Sequence, residues 1–248
     1  MGASLNVLSL NIEGDRHLNR FIPFFINLPF DVVCLQEVME SDFIRIKTEL
    51  HEVDGHFIPM ATRGKERSVF GLGIFVSKRL SFAYDEIQYH HAPKKDGETL
   101  PFACPKNIHA AHRFVQYVRV HKEGRTYCVG HTHFTWTPDG YPNEEQHLLM
   151  PRVIDIVSGK KLILLGDLNA PRELDGEKGA IWDMLAKKFH DNIPQRIRST
   201  LDPELHRVKG LERVVDCLFT PAGFVAEVSV ISGLSDHQLI AAVVTPVS

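Results

Sequence analysis

Six short apolar runs in this 248-residue chain end in, enclose or follow a residue able to bind metal or phosphate. Asn11 follows LNVLSL, Glu37 follows DVVCLQ, His133 closes TYCVGHTH and Asp167 closes KLILLGD. Asp216 lies inside RVVDCLF, and Asp236-His237 directly precedes QLIAAVV. Each has a plain structural reading when taken singly. An Asp after a strand forms a turn or caps a helix, an Asn before Ile-Glu-Gly marks a turn, and a His before a strand is a surface residue. Two details point further. Asp167 and Asn169 stand two residues apart after a wholly apolar run, so one strand end can direct both toward one site. Asp216 is flanked by Val214, Val215, Cys217, Leu218 and Phe219. A carboxylate buried there is costly unless it is paired. Ser-Asp-His at 235–237 offers both an imidazole for Asp216 and a carboxylate for a cation.

The elements that must position these groups are strands. LNVLSLN (Leu5 to Asn11), DVVCLQE (Asp31 to Glu37), VFGLGIFVS (Val69 to Ser77), FVQYVRV (Phe114 to Val120), TYCVGHTH (Thr126 to His133) and KLILLGD (Lys161 to Asp167) are short, rich in β-branched residues and bounded by turn formers. RVVDCLFT (Arg213 to Thr220), FVAEVSVI (Phe224 to Ile231) and QLIAAVVT (Gln238 to Thr245) read the same way. FVQYVRV alternates as a strand with one wet face does, whereas KLILLG reads as covered on both faces. Helical spacing falls at Asp15 to Asn27, Glu40 to Leu50 with Ser41 as cap, Asn143 to Ser158 with Asn143 as cap, and Lys178 to Phe189. His90 to Arg113 and Gln195 to Gly210 are irregular, the pattern of lids and binding loops. No linker, repeat or low-complexity segment divides the chain, so residues 1–248 are expected to form a single α/β domain.

Composition excludes several classes. With 28 Lys and Arg against 31 Asp and Glu the net charge is −3, too acidic for wrapping nucleic acid by bulk charge, although a local basic groove is compatible with it. No apolar run reaches the ~18–20 residues that span a bilayer. The N-terminus lacks the basic start of a secretory signal. Cys34, Cys104, Cys128 and Cys217 are too far apart for a zinc or redox pair, and three of them sit in apolar runs as small hydrophobes. A reduced, cytoplasmic protein without an obligate protein partner is expected.

In order along the chain, LSLNIEG, CLQEV, GHTHF, LLGDLNA, RVVDCLF and LSDHQLI resemble the motif series of the endonuclease/exonuclease/phosphatase superfamily. Its members include DNase I-like nucleases, abasic-site endonucleases, sphingomyelinases, inositol-polyphosphate phosphatases, deadenylases and tyrosyl-DNA phosphodiesterases. The series runs from Asn11 to His237, nearly the whole chain. The resemblance implies a DNase I-like four-layer α/β sandwich, two sheets face to face with helices outside. It implies Glu37 as main metal ligand, with Asn11 and Asp236 assisting. Hard oxygen donors favour Mg²⁺, with Mn²⁺ as a substitute. Asp167 would orient or deprotonate the attacking water, and Asn169 would hold that water or a phosphate oxygen. Asp216 and His237 would form a buried dyad, and His133 would stabilise charge on the phosphoryl oxygens.

The chain departs from the family pattern at His131, which stands where Asn is common. The resulting His-Thr-His allows a zinc-pair reading, a ring turned to the opposite side of the sheet, or a substrate contact in place of the Asn. Cys217 replaces a common Tyr. Arg113 occupies a place where a basic residue near substrate is common, and a solvated arginine at a strand start fits equally. Trp136 and Tyr141 are candidates for stacking on a base or lipid-like group, with Trp136 as a cap on the core the alternative. Arg63, Lys65, Arg67, Lys94, Lys95, Arg196, Arg198 and Arg207 read as solvated loops rather than a DNA face. The expected activity is hydrolysis of a phosphoester, a diester of nucleic-acid or nucleotide-like type before a lipid or inositol phosphate. A non-catalytic binding scaffold is the rival outside enzymes, and the segment from His90 to Arg113 is the candidate for substrate selection.

Overall fold

The computed structural model describes residues 4–103, 110–138 and 140–247. The first half of the chain runs β1 (Leu5–Asn11), α1 (Leu18–Ile26), β2 (Val32–Met39), α2 (Glu40–Glu49), β3 (Val53–Arg63), β4 (Ser68–Ser77), β5 (Ser81–His90), β6 (Phe102–Ala103), β7 (Arg113–Lys122) and β8 (Arg125–His133). It continues through α3 (Glu144–Lys160), β9 (Ile163–Asp167), β10 (Glu173–Leu174), β11 (Glu177–Lys178), α4 (Ala180–Ala186), β12 (His190–Asp191), β13 (Asp216–Thr220), β14 (Phe224–Ile231) and β15 (Leu239–Pro246).

One sheet has the order β14-β15-β1-β2-β4-β3-β6 and the other β12-β13-β9-β8-β7-β5, with β10-β11 a separate ribbon. Both are mixed, because β1 pairs parallel with β2 and β8 parallel with β9 among antiparallel neighbours. Val7, Cys34 and Ile74 of the first sheet join Val118, Val129 and Leu165 of the second in one apolar cluster, which fills the space between them. Phe21, Ile22 and Phe25 of α1 and Phe43 and Ile46 of α2 pack on Leu8, Leu10, Val33 and Leu35, covering the outer side of the first sheet. Met150, Val153 and Val157 of α3 and Ile181, Trp182 and Leu185 of α4 cover the second. The expected sandwich of four layers is the observed architecture.

The nine anticipated strands are all present, with ends displaced by up to three residues. Of the helix caps, Asn143 forms a full capping box with Gln146, whereas α2 starts after Met39 with no side-chain cap, so Ser41 is not its cap. β7 is not a strand with one wet face throughout. Gln116 is wholly buried between the sheets, and only Arg119 and His121 point to water. KLILLG begins with Lys161 closing α3 in a left-handed turn, and the strand proper, β9, is buried along its length. Cys34, Cys128 and Cys217 are free, and Cys128 is only partly buried. Cys104, named above, lies outside the described residues. Among those described, no helix is long and apolar enough to cross a membrane.

Candidate active site

The motif residues gather where the C-terminal ends of β1, β2, β8 and β9 meet the start of β13. Strand register does most of the alignment. His133 of β8 stands beside Asp167 of β9, and Asp167 stands directly across from Asp216 of β13. Three neighbouring strands therefore present an imidazole and two carboxylates in a row. In the facing sheet, Asn11 ends β1 and Glu37 lies one residue past its partner Gln36. Asn11 crosses the gap, its Nδ2 donating to Asp167 Oδ2 at 3.1 Å and to Glu37 Oε1 at 3.4 Å. Its Oδ1 accepts from the Glu13 N–H at 3.2 Å.

Two backbone irregularities aim the carboxylates. The β2–β4 register slips between Leu35 and Val38, and Glu37 within that bulge has φ +59°. A non-glycine residue held there costs on the order of 1–3 kcal/mol, and bulges near functional sites commonly redirect a side chain. On β9, Gly166 adopts φ +116° and lies so close to Thr132 that a Cβ would sit 2.1 Å from the Thr132 carbonyl oxygen. Past the strand end, Asn169 is also left-handed, at φ +50°. Its N–H donates to Asp167 Oδ1 at 2.7 Å and its Nδ2 to the Phe134 carbonyl at 2.9 Å.

His237 Nδ1 is 2.9 Å from Asp216 Oδ2, while its Nε2 lies 3.9 Å from Asp167 Oδ2. His133 Nε2 approaches the same oxygen at 3.7 Å. The segment from Gln195 to Gly210, expected as a lid or binding loop, braces this pair. Leu201 bridges to His237, the Asp202 N–H donates to the Asp236 carbonyl, and Thr200 Oγ1 accepts from the N–H groups of Val215 and Asp216. Asp236 takes a hydrogen bond from Ser235 Oγ at 3.2 Å.

Burial disfavours charge on His237, but Asp216, Asp167 and Asp236, with the hydrogen bond to Asp216, outweigh it and hold the imidazole well above its ordinary range. For His133 burial prevails, helped by the charge of Arg113, and the ring is pushed down. Burial raises Asp167, and Asp216 raises it further. Burial raises Asp236, with Glu13 and Glu37 adding to the effect. Glu37 is pulled the other way. Burial is offset by His133, by the Arg63 charge, and by hydrogen bonds from Arg63 and Asn11, leaving it below the usual carboxylate range.

The donor set fits a hard divalent cation. Carboxylates on both sheets converge, no cysteine joins a ligand-spaced group among the described residues, and the repulsion that adds to burial in raising Asp167 and Asp236 is what a cation would relieve. Glu13, His17 and Asp236 place ligand atoms within 4.8 Å of one another, as do Asp167, Asp216 and His237. Glu13 and His17 were missed from the sequence, although Glu13 lies in the first motif; a two-residue step past Asn11 around a turn was the available signal.

Four expectations need correction. His131 is fully buried and on the same face as His133, since residues two apart in a strand share a face. Its Nδ1 is 3.0 Å from Gln36 Nε2 and its Nε2 is 2.7 Å from Gln116 Oε1, so it neither touches substrate nor serves a zinc pair. Arg113 is not a solvated arginine. It is 3 % exposed, donating from Nη1 to the His133 carbonyl at 2.9 Å, which places it under the site. Arg63 and Arg67 are not free loop charges either. Arg63 binds Glu37, and Arg67 pairs with Glu98 and lies over Phe102. Trp136 is 40 % exposed and so does not cap the core, and Tyr141 is exposed with its hydroxyl donating to Asp175 at 2.6 Å.

The sequence profile of the Endonuclease/Exonuclease/phosphatase family matches residues 3–237. Among curated proteins no sequence matches the chain. Among solved structures, an endonuclease/exonuclease/phosphatase from Bacteroides vulgatus aligns with TM-score 0.71 at 18% identity, covering 99% of this chain and all of the other. The Bacteroides thetaiotaomicron mannosyl-6-phosphatase aligns with TM-score 0.65 at 14% identity over 97% and 99% of the two chains. D. rerio TDP2, in complex with a single-strand DNA product, aligns with TM-score 0.65 at 18% identity over 98% and 100%. The two-sheet sandwich is the fold these structures share, and the chain belongs to the Endonuclease/Exonuclease/phosphatase family.

Proposed function

We propose that this chain is a Mg²⁺-dependent phosphodiesterase acting on a nucleic-acid or nucleotide-like substrate by in-line attack of water. The observation that carries the reading is the row of His133, Asp167 and Asp216 across three strands, with His237 clamped on Asp216 and Glu37 facing the row through Asn11. A divalent ion held by Glu37, with Asn11 and Asp236, would supply Lewis-acid neutralisation of the phosphoryl charge.

Each remaining role follows from position. Asp216 and Asp167 keep His237 protonated, which gives a cation beside the phosphoryl oxygens and leaves His237 unable to take a further proton. The proton of the attacking water then falls to Asp167, whose raised pKa brings it nearer to neutrality and whose Oδ1 is fixed by the Asn169 N–H. Asn169 holds the water or a non-bridging oxygen. His133 acts as a neutral donor, positioned from below by Arg113. Trp136 offers an exposed ring face on which a base can stack.

The diester preference draws on the fold shared with D. rerio TDP2, whose structure holds a single-strand DNA product. The test is hydrolysis of bis-p-nitrophenyl phosphate, p-nitrophenyl phosphate and an abasic DNA duplex, with Mg²⁺ and with chelator. Metal-dependent release from the diester or the duplex is expected. Cleavage of the monoester alone transfers the chain to the phosphatases, and no cleavage with any divalent metal overturns the enzyme reading.

A further inference from the structure

Glu37 already carries a cation supplied by the chain. Arg63 ends β3, and its Nη1 donates to Glu37 Oε2 at 2.9 Å. The guanidinium is built into place on two further sides. Its Cζ lies 5.0 Å from the centroid of the Phe70 ring. Its Nη2 fills the space above Gly14, where a Cβ would come within 2.1 Å of it, and Gly14 has φ +73°. The residue beneath the guanidinium is thus one without a side chain, and the ring beside it has a π face. A planar cation held this way is costly to replace with any other side chain. The strand end is anchored as well, because Arg63 pairs with Ala103 of β6. Arg63 is absent from the motif series that marked the other site residues.

We propose that Arg63 is an internal counter-cation that competes with the divalent ion for Glu37 and thereby sets the metal affinity of the site. The inference rests on Glu37 being a metal ligand, as read above. A guanidinium and a divalent ion drawn to one carboxylate repel each other at short range, and the repulsion is strong in a partly buried site. Every metal-binding event therefore meets a positive charge that must move aside or remain as an unfavourable neighbour. Arg63 is a positioning residue in this reading. It holds the Glu37 carboxylate, which the left-handed bulge already aims, and weakens the affinity of the ion placed there.

The test is direct Mn²⁺ binding, read from the EPR signal of free Mn²⁺, for the wild-type chain and for Arg63→Met and Arg63→Lys, with thermal unfolding in chelator alongside. Arg63→Met is expected to bind Mn²⁺ about tenfold more tightly, while its melting temperature in chelator falls because Glu37 has lost its partner. Arg63→Lys, which keeps the charge, should bind within about twofold of wild type. If Arg63→Met does not fold, Arg63→Gln serves in its place, with the same tightening expected. Equal or weaker Mn²⁺ binding by the charge-removing variant overturns the proposal, as does equal tightening in Arg63→Lys. A wild-type chain that takes up no Mn²⁺ overturns instead the assignment of Glu37 as a ligand, and this inference with it.

Discussion

Two carboxylates on adjacent strands make His237 a cation in an otherwise buried place, and the proposed mechanism depends on that one charge. Asp216 contributes most of it, through a hydrogen bond at 2.9 Å and its charge, against a burial that disfavours ionisation. Asp216→Asn would keep a hydrogen-bonding group and remove the charge, so the pKa of His237 should fall. Because the active form proposed here has His237 protonated, activity is lost as pH rises through its pKa. The alkaline limb of a kcat/KM–pH profile should therefore move to lower pH in Asp216→Asn. A limb that stays in place would show that His237 does not set it. Asp167→Asn and His237→Ala should each lower kcat/KM at least ~10²-fold, the usual cost of losing a general base or a cationic group. Near-wild-type rates in either variant would mean that the chemistry occurs elsewhere.

At the scale of elements, the strand ends matter because small backbone departures steer them. Gly166 sits against Thr132 on the parallel partner strand, with no room for a Cβ and with a φ that L side chains rarely adopt. Gly166→Ala should destabilise the fold by about 2 kcal/mol or more, which in a chain of this length is a fall in melting temperature of roughly 4–8 °C. An unchanged melting curve would show that β8 and β9 separate freely, and that Asp167 is not held by this contact. Such details explain what could be read in advance. β1 and β9 were legible because their apolar runs end sharply at chemistry-bearing residues, β15 because its run directly follows Asp236-His237, and α3 because Asn143 announces its start. β3 was not legible, since Gly55 and Pro59 interrupt its pattern and a bulge follows at Pro59. β5 was missed because it is an edge strand, paired only to β7, and the consecutive exposed Asp85 and Glu86 break its alternation. Glu37 was legible as a residue, but the bulge that turns it and the Arg63 beside it are products of tertiary pairing. Nothing in the local sequence announces them.

Across the whole molecule, the two sheets are joined near the site by a polar chain inside the apolar interface. Gln36 Nε2 reaches Ser9 Oγ at 3.3 Å and His131 Nδ1 at 3.0 Å, His131 Nε2 reaches Gln116 Oε1, and Gln116 Nε2 donates to the His56 carbonyl at 2.9 Å. The chain of contacts passes from one sheet to the other, and its central ring works only as a neutral tautomer. Nδ1 accepts from the Gln36 amide while Nε2 donates to Gln116. Burial, with the nearby His133, drives the pKa of His131 down to about 3 from an ordinary 6.5. The sign of the resulting pH dependence is fixed. Between those two values the unfolded chain binds a proton that the folded chain refuses, so stability is full above about pH 6.5 and declines as pH falls toward 3. One such group changes the unfolding free energy by up to ~1.4 kcal/mol per pH unit within that window. His131→Gln removes the titration and keeps a polar partner for Gln36 and Gln116. The variant should be somewhat less stable than wild type at pH 7.5, by about 1–2 kcal/mol for imperfect hydrogen bonding. Its stability should then fall less steeply between pH 6 and 4, since the other titrating groups are common to both proteins. Urea unfolding at several pH values measures both slopes. Parallel curves would mean that His131 gains its proton without opening the sandwich, and that the contacts between the sheets are looser than the buried network implies.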